Sequence, residues 1–83
     1  MTRDQIFDVV RSNVLAIVDG VDVEAISEDV SLRDLGADSL QIVEVVSRSI
    51  KELRLKVPRT ELSRATKLGD LLDLLEGAAA KDT

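Results

Sequence analysis

The chain has 83 residues, 11 basic and 16 acidic, for a formal charge of −5. A chain of this length holds one core and one domain, and its acidic balance excludes phosphate-backbone binding to nucleic acid, which needs a surplus of Lys and Arg. It contains neither Cys nor His, which removes disulfides, thiolate zinc sites, Cys nucleophiles and any unperturbed base that titrates near neutrality.

From Thr2 to Val18 the apolar residues Ile6, Val10, Val14, Ile17 and Val18 recur at helical spacing, which predicts a first helix with Gly20 as its stop. A long connection from Asp19 to Asp38 carries seven acidic residues against Arg33 alone. As a calcium loop starting at Asp19 it fails, with Glu24 where glycine is required and Val30 where the closing glutamate belongs. No metal ligand set is expected elsewhere. Its apolar members, Val21, Val23, Ile26, Val30, Leu32 and Leu35, are expected to pack across the bundle.

A second helix is predicted to begin at Ser39 after Asp38, with Gln41 three places beyond Asp38 completing a capping box. Ile42, Val45, Val46, Ser49 and Leu53 form its core face, and Leu40, Val43 and Ile50 an adjoining face left partly exposed. Pro58 fits the first turn of a short third helix in which Leu62 is the buried residue. Thr66 is expected to cap a fourth helix whose stripe is Leu68, Leu71, Leu72 and Leu75, ended by Gly77. Residues 1–77 then form the domain and 78–83 a flexible tail.

Nearly all the apolar 45% is Leu, Val, Ile and Ala, with Phe7 the sole aromatic, a mixture that favours an all-α bundle. No apolar run is long enough to span a bilayer, and Met1 leads into Thr2, Arg3 and Asp4 without the apolar core of a secretory signal. A cytoplasmic monomer is expected, and Met1 with the full run of segments favours a free-standing protein.

The informative stretch is Leu35, Gly36, Ala37, Asp38, Ser39 and Leu40, a glycine-containing turn that sets a serine at the head of a helix. A phosphate ester there meets free backbone N–H groups and the positive end of the helix dipole. Read alone, Asp38 and Ser39 are also what ordinary helix capping requires.

These residues resemble the Asp-Ser-Leu attachment motif of the acyl carrier protein family, and the order of segments resembles it over nearly the whole chain. The resemblance implies a four-helix bundle of acyl carrier type, with a long loop between the first and second helices and a short third helix. It implies that a phosphopantetheinyl transferase moves 4'-phosphopantetheine from coenzyme A onto Ser39, with Asp38 as motif residue and cap. The arm supplies the sulfur that the sequence lacks. The chain itself is then no enzyme: it carries acyl thioesters to partners such as an acyltransferase or a ketosynthase, with Leu40, Val43 and Glu44 as the contact face.

The sequence departs from fatty acid carriers, which typically place an acid two residues after the serine and more acids late in the second helix. Here Gln41, Ile50 and Lys51 occupy those places, and from Ser39 to Lys67 three acids face seven bases. Val57, Pro58, Arg59, Thr60, Glu61 and Leu62 look like the third-helix region of discrete carriers in polyketide pathways, including β-branching cassettes. Those often have asparagine where this chain has Asp38. Polyketide or related specialised biosynthesis is therefore the expected setting. Two alternatives stand beside it: an aminoacyl or peptidyl carrier sharing the same serine and cofactor, and an unmodified helical interaction module in which Ser39 is only part of a cap.

Overall fold

Thr2 opens the first helix of the computed structural model, which describes residues 1–81. The Thr2 hydroxyl accepts from the Gln5 amide at 3.2 Å while the Gln5 side chain accepts from the Thr2 amide at 2.8 Å. The helix so capped, α1, spans Arg3–Ile17, and α2 (Ser39–Leu53), α3 (Arg59–Leu62) and α4 (Leu68–Lys81) follow. A single 3-10 turn, Val23–Ala25, interrupts the long connection. The described residues contain no strand, so the all-α expectation holds.

Helical spacing puts Ile6, Val10 and Val14 of α1 on one line, and all three are fully buried. They meet Val45 of α2 and the α4 stripe of Leu68, Leu71, Leu72 and Leu75 in one apolar cluster. Each such side chain contributes about 1.5–3 kcal/mol by leaving water, which is what turns four marginal helices into a domain. The long connection adds buried Ile26, Leu32 and Ala37, whereas Val23 stays exposed. Its backbone also completes α4: the Leu68 amide donates to the Val30 carbonyl at 2.8 Å and the Gly69 amide to the Glu28 carbonyl at 3.0 Å. A Cβ on Gly69 would sit 3.1 Å from that Glu28 oxygen, so glycine permits the approach.

Several boundaries differ from expectation. The first helix ends at Ile17, and Gly20 (φ +75°) serves the turn beyond it rather than the stop itself. On the face of α2 expected to be partly exposed, Leu40 and Val43 are exposed and Ile50 is half-buried, its inner side packed against the core. Pro58 precedes α3, its carbonyl accepting from the Glu61 and Leu62 amides. At the head of α4, Thr66 does not cap through its own side chain. The Asp70 carboxylate reaches back and accepts from the Lys67 and Thr66 amides and the Thr66 hydroxyl, which holds the carboxyl below its ordinary range. Gly77 does not end α4, which runs on to Lys81 with Ala78 and Ala79 partly buried against the core. Of the expected tail, Asp82 and Thr83 lie outside the described residues.

Candidate functional site

The approach to Ser39 is a tightly bonded turn. Ser31 and Asp34 bond reciprocally, amide to carboxylate at 3.1 Å and amide to hydroxyl at 2.9 Å. The Leu35 amide then donates to Ser31 and Leu32, the Gly36 amide to Arg33, and the Ala37 amide to Leu32. Gly36 has φ +97°, a conformation that an L residue adopts only under strain, and this reverses the chain. Leu32 and Ala37 are buried on either side of the reversal and anchor it to the core. Asp38 and Ser39 emerge exposed from that anchor.

Asp38 is the cap of α2. Its carboxylate accepts from the Gln41 amide at 2.8 Å, and the Gln41 side chain returns the bond by accepting from the Asp38 amide at 3.0 Å. Gln41 does a second job: its Nε2 donates to the Ile17 carbonyl at 3.3 Å, tying the head of α2 to the end of α1. An acid at this position has no such donor.

Because the cap consumes the Gln41 amide, the Ser39 and Leu40 amides find no acceptor among the described residues. An exposed hydroxyl at the first helical position, beside two free N–H groups at the positive end of a helix dipole, suits a phosphate ester. The 4'-phosphopantetheine group therefore fits the residues present.

Beyond Ser39, a cleft of about 420 Å³ opens between α2, α3 and α4. Ile42 and Val46 line it from α2, Leu62 from α3, and Leu68 and Leu71 from α4. Ile42 and Val46 lie three and seven residues after Ser39, so the cleft runs along the helix side that Ser39 heads. On the outer side, Leu40 and Val43 are 72% and 56% exposed, and Glu44 is exposed with them. The structure thus gathers Asp38, Ser39, Leu40, Val43 and Glu44 on the first two turns of one helix.

The cleft was not foreseen from the sequence. Its signal was the two small residues Ser63 and Ala65 on either side of Arg64, where larger side chains would have filled the gap. Two polar clusters were also missed. Arg3 bridges Glu28 at 2.5 Å and Asp73 at 2.7 Å, pairs with Glu76 and donates to the Gly69 carbonyl. Asn13 and Ser49 bond to each other in the core. None of these touches Ser39. Among the described residues no cluster of metal-ligating side chains occurs, and no helix is long and apolar enough to cross a membrane.

The family model described as "Phosphopantetheine attachment site" matches residues 12–75. The polyketide biosynthesis acyl-carrier-protein AcpK of Bacillus subtilis (strain 168) is 32% identical over 75 residues, covering 90% of this chain and 92% of that protein. Among solved structures, the acetyl donor acyl carrier protein in complex with the HMG synthase of the curacin pathway superposes with a TM-score of 0.80 at 29% identity, covering 95% of this chain and 99% of that one. The hexanoyl carrier of the actinorhodin polyketide synthase of Streptomyces coelicolor gives 0.78 at 26% identity, covering 100% and 95%. With this match along its length, this helix order and a serine so presented, the chain belongs to the acyl carrier protein family, whose cofactor is phosphopantetheine.

Proposed function

We propose that Ser39 is the attachment point for 4'-phosphopantetheine and that the chain carries acyl groups for a polyketide or related specialised pathway. The observation that carries this reading is the exposed Ser39 hydroxyl at the first position of α2, flanked by the unpaired amides of Ser39 and Leu40. When bound, the group supplies a thiol on a long flexible chain, able to hold an acyl group as a thioester.

The chain's own residues contribute presentation. Asp38 and Gln41 fix the first turn of α2, so that Ser39 enters a transferase in a set orientation. Ser39 Oγ forms the phosphoester bond as the pyrophosphate bond of coenzyme A breaks and adenosine 3',5'-bisphosphate leaves. A phosphopantetheinyl transferase takes up the hydroxyl proton, since no His is present here to do so. The Ser39 and Leu40 amides stabilise the resulting anion. The apolar cleft beginning at Ile42 and Val46 offers a carried chain shelter from water.

The pathway assignment draws on the likeness to the AcpK carrier of polyketide biosynthesis and to the curacin and actinorhodin carriers. The curacin complex pairs its carrier with an HMG synthase, which favours partners of the carbon–carbon bond-forming kind for this chain too. Leu40, Val43 and Glu44 form the proposed contact face, in a cytoplasmic monomer that catalyses nothing itself.

Intact mass after incubation with coenzyme A, magnesium and a promiscuous phosphopantetheinyl transferase tests the reading. One added phosphopantetheine on the wild type and none on Ser39→Ala is the expected result. No addition to the folded wild type overturns it.

A further inference from the structure

The outer face of α2 changes character along its length. Leu40 and Val43, at the Ser39 end, are its exposed apolar residues. Arg48, Lys51 and Arg54 follow at the far end, all exposed. At 100° per residue Leu40, Val43, Arg48 and Lys51, with Glu44, fall within an arc of about 140°, so one flat partner surface can meet them all, and Arg54 follows them as the left-handed cap of the helix. None of the three cations lies within 4 Å of a carboxylate: the ion pairs among the described residues are made by Arg3 and Arg11. Glu44, one turn before Arg48, does not close on it, and Glu52 projects to the side of the arc. The core holds α2 by its opposite face, so the Arg48 and Lys51 side chains have no structural task within the bundle, and Arg54 closes the helix through its backbone while its side chain stays exposed.

Resting on the carrier reading of Ser39, we infer that this face docks enzymes whose rim is acidic. Such an enzyme has an apolar recess beside the tunnel that admits the Ser39 arm, and carboxylates about 14–18 Å further along, where a helix rise of about 1.5 Å per residue sets Arg48 and Lys51. Charge complementarity decides the occupant: three unpaired cations against Glu44 within the arc and Glu52 at its edge repel a basic rim and attract an acidic one. The polarity is opposite to that of a carrier with an acidic second helix, so each kind of carrier rejects the other's enzymes.

The test uses the full chain loaded at Ser39 with an arm ending in a cysteine-reactive group. It measures the rate of cross-linking to two ketosynthases of known structure, one with an acidic and one with a basic tunnel rim. The acidic-rim enzyme is expected to react about tenfold faster at low salt, with the preference lost near about 1 M salt, where screening is nearly complete. Arg48→Glu combined with Lys51→Glu is expected to reverse the order. Arg54 is left intact because it closes α2 with φ 56°.

Equal rates for the two enzymes, or a double variant that behaves as wild type, overturns the inference. So does binding to phosphatidylglycerol vesicles that the double variant loses, which assigns the cations to a lipid surface. Intact mass separates this outcome from failure of the carrier reading, because an unloaded Ser39 is seen before any enzyme is added. Helical circular dichroism of both proteins confirms that the compared chains are folded.

Discussion

Asn13 donates its Nδ2 to the Ser49 hydroxyl at 3.1 Å, inside a core otherwise made of Leu, Ile, Val and Ala. Ser49 in turn donates to the Val45 carbonyl at 2.7 Å, so α1 and α2 are joined by a short polar chain sealed from solvent. Ser49→Ala leaves the Asn13 amide buried without an acceptor, and a loss of about 1–3 kcal/mol in urea unfolding is expected. Asn13→Leu with Ser49→Ala is expected to lose less than the two single changes added together, because neither partner is then stranded. Additive losses would mean that the two side chains act independently.

Ser39 and Asp38 are adjacent, yet their substitutions have separable consequences. Asp38→Ala removes the acceptor of the Gln41 amide and is expected to cost about 1 kcal/mol of stability. Ser39→Ala touches no hydrogen bond of the cap and is expected to leave the urea midpoint unchanged while abolishing phosphopantetheine addition. A drop in stability for Ser39→Ala would show that its hydroxyl helps to hold the helix.

Gln41→Glu restores the acid that many fatty acid carriers have at this place. Glutamate still accepts from the Asp38 amide, but it turns a carboxylate oxygen on the Ile17 carbonyl where Nε2 now donates. The expected cost is about 1 kcal/mol by urea unfolding, with the phosphopantetheine addition retained. An unchanged midpoint would remove the Gln41–Ile17 tie from the account of how α1 and α2 are joined.

Acid is expected to loosen the contact between the long connection and α4. The Arg3 guanidinium, bonded to Glu28, holds that carboxyl below its ordinary range, and the Lys67 and Thr66 amides do the same for Asp70. A depressed carboxyl stabilises the fold fully above its unfolded pKa and ceases to do so as pH falls through the folded one. Thermal melts should therefore hold steady from neutrality to about pH 5 and fall below it. In Arg3→Gln the fall is expected to be shallower, since Glu28 loses its partner while Asp70 keeps its amides. An identical acid limb in the two proteins would rule out Arg3 as the cause.

What the sequence made legible was what depends on neighbours along the chain. The Leu68–Leu75 stripe, the Asp38–Gln41 box and the exposure of Leu40 and Val43 all follow from positions three or four apart. Thr66 was misjudged as the cap of α4 for a local reason: a carboxylate inside the first turn, here Asp70, caps as well as a hydroxyl before it, and the pattern did not choose between them. Gly77 was misjudged because burial of Ala78 and Ala79 against the core outweighs the modest helix cost of one glycine. The Arg3 cluster and the Asn13–Ser49 bond join residues far apart in sequence, and the cleft exists only once three helices are in place.

The first turn of α4 is finished by carbonyls of Glu28 and Val30, residues that belong to a loop between the first two helices. That non-local closure makes the contact a late one in folding, since the chain must bring both ends together before either amide is satisfied. It also means that the Leu68 and Gly69 amides are shielded from solvent exchange by the loop, and exchange whenever the loop lifts, even while α4 stays wound. One wall of the cleft is consequently hinged on a contact whose opening can be timed by deuterium uptake at two amides.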